Sequence, residues 1–190
     1  MNNIKILKFL INNRNKEFSI NQISKELKLN YRIAYQEIHK LKDLINIRKL
    51  GNSKQCQFNN NFNSLVLKAE NEKKDEILKN KNLDVINNEL KKIKNPFYIL
   101  LLFGSRVKEN KKDSDIDLCI ISDNKKNIEQ LQEFLNWLPL KLHIIDFNSE
   151  EFKQMLNANE NNVGKEILNN NIILQGIEDF YRLLKFSSFM

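Results

Sequence analysis

The hydrophobic residues of the C-terminal half alternate between short continuous runs and runs with helical spacing. Residues 97–103 are seven apolar residues in succession, and a second apolar stretch, residues 116–121, contains one carboxylate, Asp117. Apolar runs this short are typical of strands buried on both faces. Helical spacing is shown by Leu83, Ile86, Leu90 and Ile93 before the first run, and by Ile128, Leu131, Leu135 and Leu138 after the second. The pattern predicts an α+β domain with a mixed sheet flanked by helices.

The segments that follow continue this alternation of strands and helices. Trp137, two residues before Pro139, is expected in the core. A ligand site is expected at one rim of the sheet, where the loops lie. The predicted elements are a strand over residues 141–147, helices over 149–156 and 163–168, a strand over 172–174 and a terminal helix over 177–185.

The N-terminal residues show helical spacing followed by alternating strands. An amphipathic helix is predicted from the spacing of Ile4, Leu7, Leu10 and Ile11. Ser19 and Gln22 form the sequence pattern of a capping box, which predicts that a second helix begins there. A third helix is predicted from Tyr31 to Leu44. The strands expected over residues 45–50 and 54–58, joined by a turn at 51–53, predict a β-hairpin.

Length and these patterns together predict a chain of two domains. At 190 residues the chain is long enough for two small domains. We expect the first over residues 1–62 and the second over residues 96–190, with a charged helical linker over residues 63–95. The charges of the linker are expected to form a solvated face. Because the sequence has neither an apolar run of about 18 residues nor a signal-peptide pattern, a cytoplasmic protein without a membrane segment is expected.

The first apolar run ends in residues whose chemistry suits a phosphate group. Gly104 lacks a Cβ, so it allows a sharp turn and a close approach of a ligand to the backbone. Ser105 and Arg106 are expected to open a short helix, whose free amide groups favour the anionic oxygens of a phosphate. Ser105 adds a hydroxyl, and Arg106 adds a positive charge that would clamp a phosphate.

Two carboxylates open the second apolar run. Asp115 and Asp117 are spaced by two, so in a strand both side chains point to the same face. Carboxylates held side by side repel each other unless a cation lies between them. Mg²⁺ suits such a pair because it binds through one or two carboxylates and through substrate phosphates. A Gly-Ser turn or an Asp-x-Asp pair is common alone, but the two on successive strands favour a site for a magnesium-bound nucleoside triphosphate.

Gly104, Ser105 and Arg106 together with Asp115 and Asp117 resemble the signature of the nucleotidyltransferase superfamily typified by DNA polymerase beta, and especially its minimal prokaryotic members. The resemblance covers about residues 96–147. It implies that the Gly-Ser turn binds a nucleoside triphosphate, with ATP expected, and that the two aspartates are catalytic residues that hold Mg²⁺. It also implies a third carboxylate on a later strand. The implied activity is transfer of a nucleotide to a hydroxyl acceptor.

The third carboxylate is where the chain departs from that signature. His143 occupies the position at which the acid is expected, and Asp146 follows three residues later. A regular strand would aim Asp146 at the opposite face, so only a strand bulge would make it a metal ligand. A histidine nitrogen is a poor ligand for Mg²⁺, and we expect His143 to be a hydrogen-bonded residue on a half-buried strand. The alternative to an enzyme is therefore a transcriptional regulator or antitoxin-like component whose degenerate domain only binds a nucleotide or a partner.

The N-terminal order of helices and hairpin resembles a winged helix-turn-helix DNA-binding domain. Residues 1–58 carry 12 Lys and Arg against 4 Asp and Glu, a net charge of +8, whereas residues 96–190 carry 11 against 14, a net charge of −3. Because phosphate contacts dominate nucleic-acid affinity, the charge favours double-stranded DNA as the partner. The candidate DNA-binding residues are Tyr31, Arg32, Tyr35, Gln36, His39 and Lys40 on the second helix of the motif, and Lys49, Asn52 and Lys54 on the wing.

Other partners are alternatives for the same domains. The basic domain has RNA or a protein as its alternative partners, and a homodimer is among the expected assemblies because winged helices often act as dimers. If the chain is an enzyme, a protein is one expected acceptor of the nucleotide. If it is an antitoxin-like component, a toxin is the expected partner. Cys56 and Cys119 lie in different domains, so reduced thiols are expected rather than a disulfide or a zinc site.

Overall fold

The structure, a computed structural model, describes residues 2–93, 97–108 and 115–186. The chain divides into two compact units, Met1–Ala69 and Glu70–Phe189. The division falls within a helix that the sequence assigned to a linker. The expected boundary between residues 95 and 96 lies outside the described residues.

The N-terminal unit consists of helices and a small antiparallel sheet. Its elements are α1 (Asn2–Ile11), β1 (Phe18–Ser19), α2 (Ile20–Glu26), α3 (Tyr31–Lys40), β2 (Ile45–Leu50) and β3 (Ser53–Phe58). The strands lie in the order β1-β3-β2, and both pairings are antiparallel. The predicted helices and the β2–β3 hairpin are confirmed, whereas β1 was not predicted. The core of the unit includes Ile6, Leu7, Ile23, Ile38 and Phe58.

Side-chain caps define where α2 and α3 begin. Ser19 and Gln22 form the predicted capping box, in which the Ser19 hydroxyl accepts from the Gln22 amide. The Gln22 side chain in turn accepts from the Ser19 amide at 2.7 Å. Asn30 caps α3 by accepting from the amide of Arg32 at 2.9 Å. These bonds satisfy amide groups that the first turn of a helix leaves without a partner.

Helix α3 is shorter than predicted, because it ends at Lys40 and not at Leu44. After it the chain forms a turn in which the Leu44 amide donates to the Leu41 carbonyl at 2.9 Å. Leu41 and Leu44 are both buried. The apolar spacing that predicted a longer helix therefore reflects burial in a turn that leads into β2.

The C-terminal unit is a mixed sheet with helices packed on it. It begins within α4 (Ser64–Ile77), and its further elements are α5 (Lys81–Leu90), β4 (Ile99–Phe103), α6 (Ser105–Lys108), β5 (Ile116–Ile121), α7 (Lys125–Asn136), β6 (Leu142–Phe147), α8 (Ser149–Asn157), α9 (Val163–Asn169), β7 (Ile172–Gln175) and α10 (Ile177–Lys185). The strands lie in the order β6-β5-β4-β7. Strand β4 is antiparallel to β5 and β7, whereas β5 and β6 are parallel. The predicted α+β architecture with a mixed sheet is confirmed for this unit.

Strand β4 is the buried strand that the first apolar run predicted. Each residue from Ile99 to Phe103 is buried. The strand begins two residues later than expected because its pairing with β5 starts at Ile99, opposite Ile121, the last residue of β5. Phe97 lies before this pairing and is 78% exposed.

The two faces of this sheet carry different groups. One face packs its apolar side chains, including Leu102, Leu118 and Ile120, against buried residues of α5 and α7. Because side chains alternate along a strand, Asp117 and Cys119 lie on the other face. That face also carries Phe147 of β6, whose ring centroid lies 6.3 Å from that of Phe152 in α8.

Trp137 is not in the core, contrary to the expectation from the sequence. Its side chain is 88% exposed. The buried stripe of α7 runs through Ile128, Leu131 and Leu135. Trp137 follows the last residue of the helix and is two positions beyond Leu135, which places it away from that stripe.

Helix α4 carries buried charges that the sequence suggested would be solvated. Glu70 is 0% exposed and Lys73 is 4% exposed, with 2.8 Å between the Lys73 Nζ and a carboxylate oxygen of Glu70. The hydroxyl of Tyr181 in α10 donates to the same carboxylate at 2.6 Å. Lys74 donates to the carbonyl of Leu174 in β7 at 2.6 Å, and burial lowers the pKa of its amine. These bonds tie α4 to the end of the chain.

Both cysteines are free and buried. Burial raises the pKa of Cys56 to about 11, although nearby Lys54 opposes the shift. Burial, with a smaller contribution from Asp146, also raises the pKa of Cys119. Across the described residues, none of the helices combines the length and the apolar character needed to cross a membrane.

Candidate functional site

The turn after β4 requires a glycine. Gly104 has a φ of +77°, a left-handed conformation that residues with a Cβ rarely adopt. A Cβ built on Gly104 would lie 2.1 Å from Oδ2 of Asp117. The helix α6 begins at the next residue, Ser105, as the sequence predicted, and the Val107 amide donates to the Gly104 carbonyl at 3.2 Å. The backbone of the turn therefore lies directly against the carboxylate of Asp117.

Strand pairing positions Asp117 between two neighbours. It pairs with Phe103, the residue before Gly104, on its antiparallel side, and with His143 on its parallel side. Its side chain is 24% exposed. The carboxylate is thus partly enclosed but open to a ligand from solvent.

Asp115 lies immediately before β5, and its side chain is exposed. Its carbonyl accepts from Nε of Arg106 at 3.3 Å, and Arg106 is only 8% exposed. Arg106 therefore braces the start of β5 against the turn. A buried guanidinium bound to the protein does not support its expected use as a charge clamp on phosphate.

The His143 side chain contacts the carboxylate of Asp117. Its Nδ1 lies 3.1 Å from Oδ1 of Asp117, and the imidazole is 65% exposed. The expectation that His143 is hydrogen-bonded is thus confirmed. Because a carboxylate oxygen only accepts, a hydrogen bond here requires the tautomer that carries the proton on Nδ1.

Asp146 is not brought to the paired aspartates, so the proposal that a bulge makes it a metal ligand is wrong. The β5–β6 register runs without a shift from Ile116 opposite Leu142 to Ile121 opposite Phe147. Asp146 therefore lies on the face opposite His143. Its Oδ1 accepts from Nε2 of Gln132 in α7 at 2.8 Å. It lines a separate cavity of about 310 Å³ with Ser122, Asp123, Lys125, Ile128, Glu129, Gln132, Asn148 and Glu151.

The carboxylates of the site suit a cation that also has ligands from a bound nucleotide and from water. Within residues 2–93, 97–108 and 115–186, no group of three or more His, Cys, Asp or Glu side chains converges to hold a metal ion by itself. Mg²⁺ needs only one or two carboxylates when phosphates and water supply the rest. Because the Gly104 backbone lies against the Asp117 carboxylate, a phosphate bound at this turn would lie beside that carboxylate. Asp117 thus fits Mg²⁺ delivered with a nucleotide, and Asp115, two residues before it, has an exposed side chain.

The N-terminal unit presents a second candidate surface on α3. Tyr31 and Tyr35 are 52% and 36% exposed, and their ring centroids lie 6.3 Å apart. The ring of His39 follows at 4.4 Å from that of Tyr35. Lys54 of β3 lies across these rings: its Nζ is 4.7 Å from the Tyr35 centroid, donates to the Tyr35 hydroxyl at 3.0 Å and is 3.2 Å from Nε2 of His39.

The remaining residues predicted to bind DNA are also accessible. Exposed side chains are found at Arg32, Gln36, Lys40, Lys49 and Asn52, whereas Lys54 is half-buried. We call the surface formed by the exposed residues Tyr31, Tyr35, Gln36, His39 and Lys40 together with the half-buried Lys54 the α3 face. The hairpin contributes Lys54 to it because β3 places this lysine opposite Lys49 and beside the helix.

A family model described as "Polymerase beta, Nucleotidyltransferase" matches residues 84–177. The matched segment runs from α5 to the first residue of α10 and contains the whole β6-β5-β4-β7 sheet. It includes Gly104, Asp115, Asp117 and His143. The match supports assignment of this segment to the polymerase beta superfamily of nucleotidyltransferases. A search of curated proteins gave no match.

Proposed function

We propose that the polymerase beta-type domain transfers a nucleotide from a nucleoside triphosphate, with ATP expected, to a hydroxyl group of a protein, an RNA or a small molecule. The observation that carries this proposal is the contact between the Gly104 turn and the carboxylate of Asp117. A phosphate-binding turn and a cation-binding carboxylate must be adjacent if one ion is to contact both the protein and the triphosphate.

Each residue of the site has a distinct part in this proposal. The Gly104 backbone and the Ser105 hydroxyl bind the triphosphate, and Asp115 and Asp117 hold Mg²⁺. When bound between these residues and the triphosphate, Mg²⁺ would supply neutralisation of charge on the departing pyrophosphate and polarisation of the attacking hydroxyl. The hydroxyl oxygen bonds to the α-phosphorus, the bond from that phosphorus to pyrophosphate breaks, and the hydroxyl proton passes to solvent. Arg106 acts indirectly, by bracing Asp115 through its carbonyl.

The activity is tested by following two labels in parallel. The protein is incubated with Mg²⁺, with protein, RNA and metabolite fractions as acceptors, and with ATP labelled at the α- or the γ-phosphate. Nucleotide transfer puts the α-label on the acceptor and releases the γ-label as pyrophosphate. Transfer of the γ-label instead would indicate a kinase, and absence of both labels from every fraction would reject the enzyme proposal.

The second candidate is a regulator or antitoxin-like component whose domain binds a nucleotide or a partner without turnover. The observation that favours it is the imidazole of His143 against Asp117, at a position where a further carboxylate would serve catalysis. Calorimetry with ATP and Mg²⁺ distinguishes the two. Binding without label transfer supports the regulator, and absence of binding contradicts both candidates.

We further propose that the N-terminal unit is a winged helix-turn-helix domain that binds double-stranded DNA and localises or regulates the second domain. The order of α2, α3 and the β2–β3 hairpin supports this proposal, as does the net charge of +8 over residues 1–58. In such a domain the α3 face would enter the major groove. Gln36 suits an adenine edge, the tyrosine rings suit thymine methyl groups, and Lys40 suits a phosphate.

Exchange of Lys49 for alanine is expected to weaken DNA binding in a salt-dependent manner. A lysine that neutralises one phosphate contributes about 0.9 to the slope of log K against log salt concentration. The slope should therefore fall by about that amount, measured by fluorescence anisotropy with a labelled duplex. The control is Lys42→Ala, an exposed lysine in the turn after α3, which should leave the slope unchanged. Equal slopes for Lys49→Ala and wild type, or stronger competition by RNA than by duplex DNA, would contradict the proposal.

Exchange of Gly104 for alanine is expected to lower nucleotide transfer about 100-fold, since displacement of a reacting group by about 1 Å has an effect of that size. The new Cβ would collide with Asp117, which must move away. The control is Gly51→Ala, which has a similar φ of +57° but nothing within 4 Å of the point where its Cβ would lie. Both variants should lose roughly 1–2 kcal/mol of stability from backbone strain. Equal transfer by the two variants would show that the contact with Asp117 is irrelevant.

A further inference from the structure

We infer that His143 is a positioning residue, which fixes the carboxylate of Asp117 in the orientation that binds the nucleotide-bound cation. The inference rests on the proposed function, because it assumes that Asp117 binds that cation. It assigns His143 a part in the site other than that of a metal ligand.

The two oxygens of Asp117 face different neighbours. Oδ2 lies toward Gly104, so near that a Cβ there would be 2.1 Å away. Oδ1 lies 3.1 Å from Nδ1 of His143. The carboxylate is therefore held from both sides, by a bare backbone on one and by a hydrogen bond on the other.

The register of the sheet makes the contact with His143 direct. Strands β5 and β6 are parallel, and Asp117 pairs with His143 in an unshifted register. The two side chains extend from the same face of the sheet, so the imidazole reaches the carboxylate without any distortion of either strand. A shift by one residue would have presented Leu142 or Ile144, neither of which can donate a hydrogen bond.

The chemistry of the imidazole favours support of the ligand over coordination of the ion. Nitrogen ligands suit Zn²⁺, Cu²⁺ and Ni²⁺, whereas Mg²⁺ prefers oxygen. Carboxylates that bind metal ions are commonly hydrogen-bonded by a second residue that sets their orientation. Loss of such a partner typically lowers metal affinity about 10- to 100-fold.

The test measures the dissociation constant of Mn²⁺, a paramagnetic substitute for Mg²⁺, by electron paramagnetic resonance in the presence of a non-hydrolysable ATP analogue. His143→Leu removes the donor and should raise the dissociation constant about 10- to 100-fold. His143→Asn keeps a nitrogen donor close to the position of Nδ1 and should stay near the wild-type value. The imidazole is 65% exposed, so neither exchange disturbs the core. The control is Asp146→Asn, a carboxylate on the opposite face of the same strand, which should not change Mn²⁺ binding.

The outcomes separate this inference from the proposed function. If His143→Leu binds Mn²⁺ as tightly as wild type, or more tightly, His143 does not position the ligand and the inference is overturned. If His143→Asn is as weak as His143→Leu, the donated hydrogen bond is not the cause and the inference also fails. In both cases wild-type binding of Mn²⁺ with the analogue leaves the proposed function intact. Failure of the wild-type protein to bind Mn²⁺ with the analogue would instead overturn both.

Discussion

Exchange of both Asp115 and Asp117 for asparagine is expected to lower nucleotide transfer about 1,000-fold or more. A bound metal ion supplies several kcal/mol of stabilisation to the charge that develops in the transition state, and each 1.36 kcal/mol corresponds to about a tenfold change in rate. Asparagine has nearly the shape of aspartate but no negative charge. The double variant should therefore keep its fold and lose the cation, which can be measured as incorporation of α-label into the acceptor.

The control for the double variant is a carboxylate from the same unit that lies away from the site. Asp146→Asn removes a negative charge from β6, but that side chain faces α7 and bonds Gln132. It should retain wild-type transfer, which would also support exclusion of Asp146 from the site. Equal labelling by the double variant and wild type would reject catalysis by these aspartates. Unequal labelling counts only if circular dichroism shows the same helix content in all variants.

The contact between Gly104 and Asp117 could be predicted because it depends on order along the chain. Consecutive antiparallel strands place the end of the first beside the start of the second. Gly104 follows the last residue of β4, and Asp117 is the second residue of β5. The capping box of Ser19 and Gln22 was predictable for the same reason, since its two members are three residues apart.

The hydrogen bond between Asp117 and His143 depends on a register between strands, which the apolar pattern does not give, although the resemblance placed His143 at the position of the third acid. Hydrophobic patterning predicted both β5 and β6 but not which residue of β6 would lie beside Asp117. A one-residue slip exchanges the groups on each face. The burial of Arg106 was missed for a related reason: the sequence shows a charged residue after a turn, but not that its side chain is buried and donates to the carbonyl of Asp115.

The buried charges of α4 were missed because their partner is remote in the sequence. Tyr181 is 111 residues from Glu70, and the hydrogen bond between them joins α10 to α4. Charges on a helix with few apolar positions are typical of a solvated face. The packing of α10 against α4 overrides that local pattern, and it encloses both Glu70 and Lys73. The cluster of Glu70, Lys73 and Tyr181 therefore stabilises the packing of the two helices and does not form a solvated face of α4.

Exchange of Glu70 for alanine is expected to destabilise the protein by about 3–5 kcal/mol, the usual cost of removing one partner from a buried ion pair. The variant deprives Lys73 of the carboxylate that lies 2.8 Å from its Nζ, and it deprives the Tyr181 hydroxyl of its acceptor. The free energy of unfolding can be measured by urea denaturation. If the wild-type protein unfolds in two steps, we expect the exchange to lower the urea concentration at the midpoint of the step in which the C-terminal unit unfolds.

A surface ion pair of the same unit provides the matched control. Glu178 and Arg182 are four residues apart on α10 and 2.7 Å from each other, but both side chains are more than half exposed. Glu178→Ala should therefore cost only about 0.3–0.5 kcal/mol, as for other exposed helical pairs. Both exchanges replace a helical glutamate by alanine and remove the same charge. The difference between their losses of unfolding free energy therefore reports the effect of burial. Equal destabilisation by both would contradict the view that the enclosed Glu70 cluster holds α4 to the C-terminal helix.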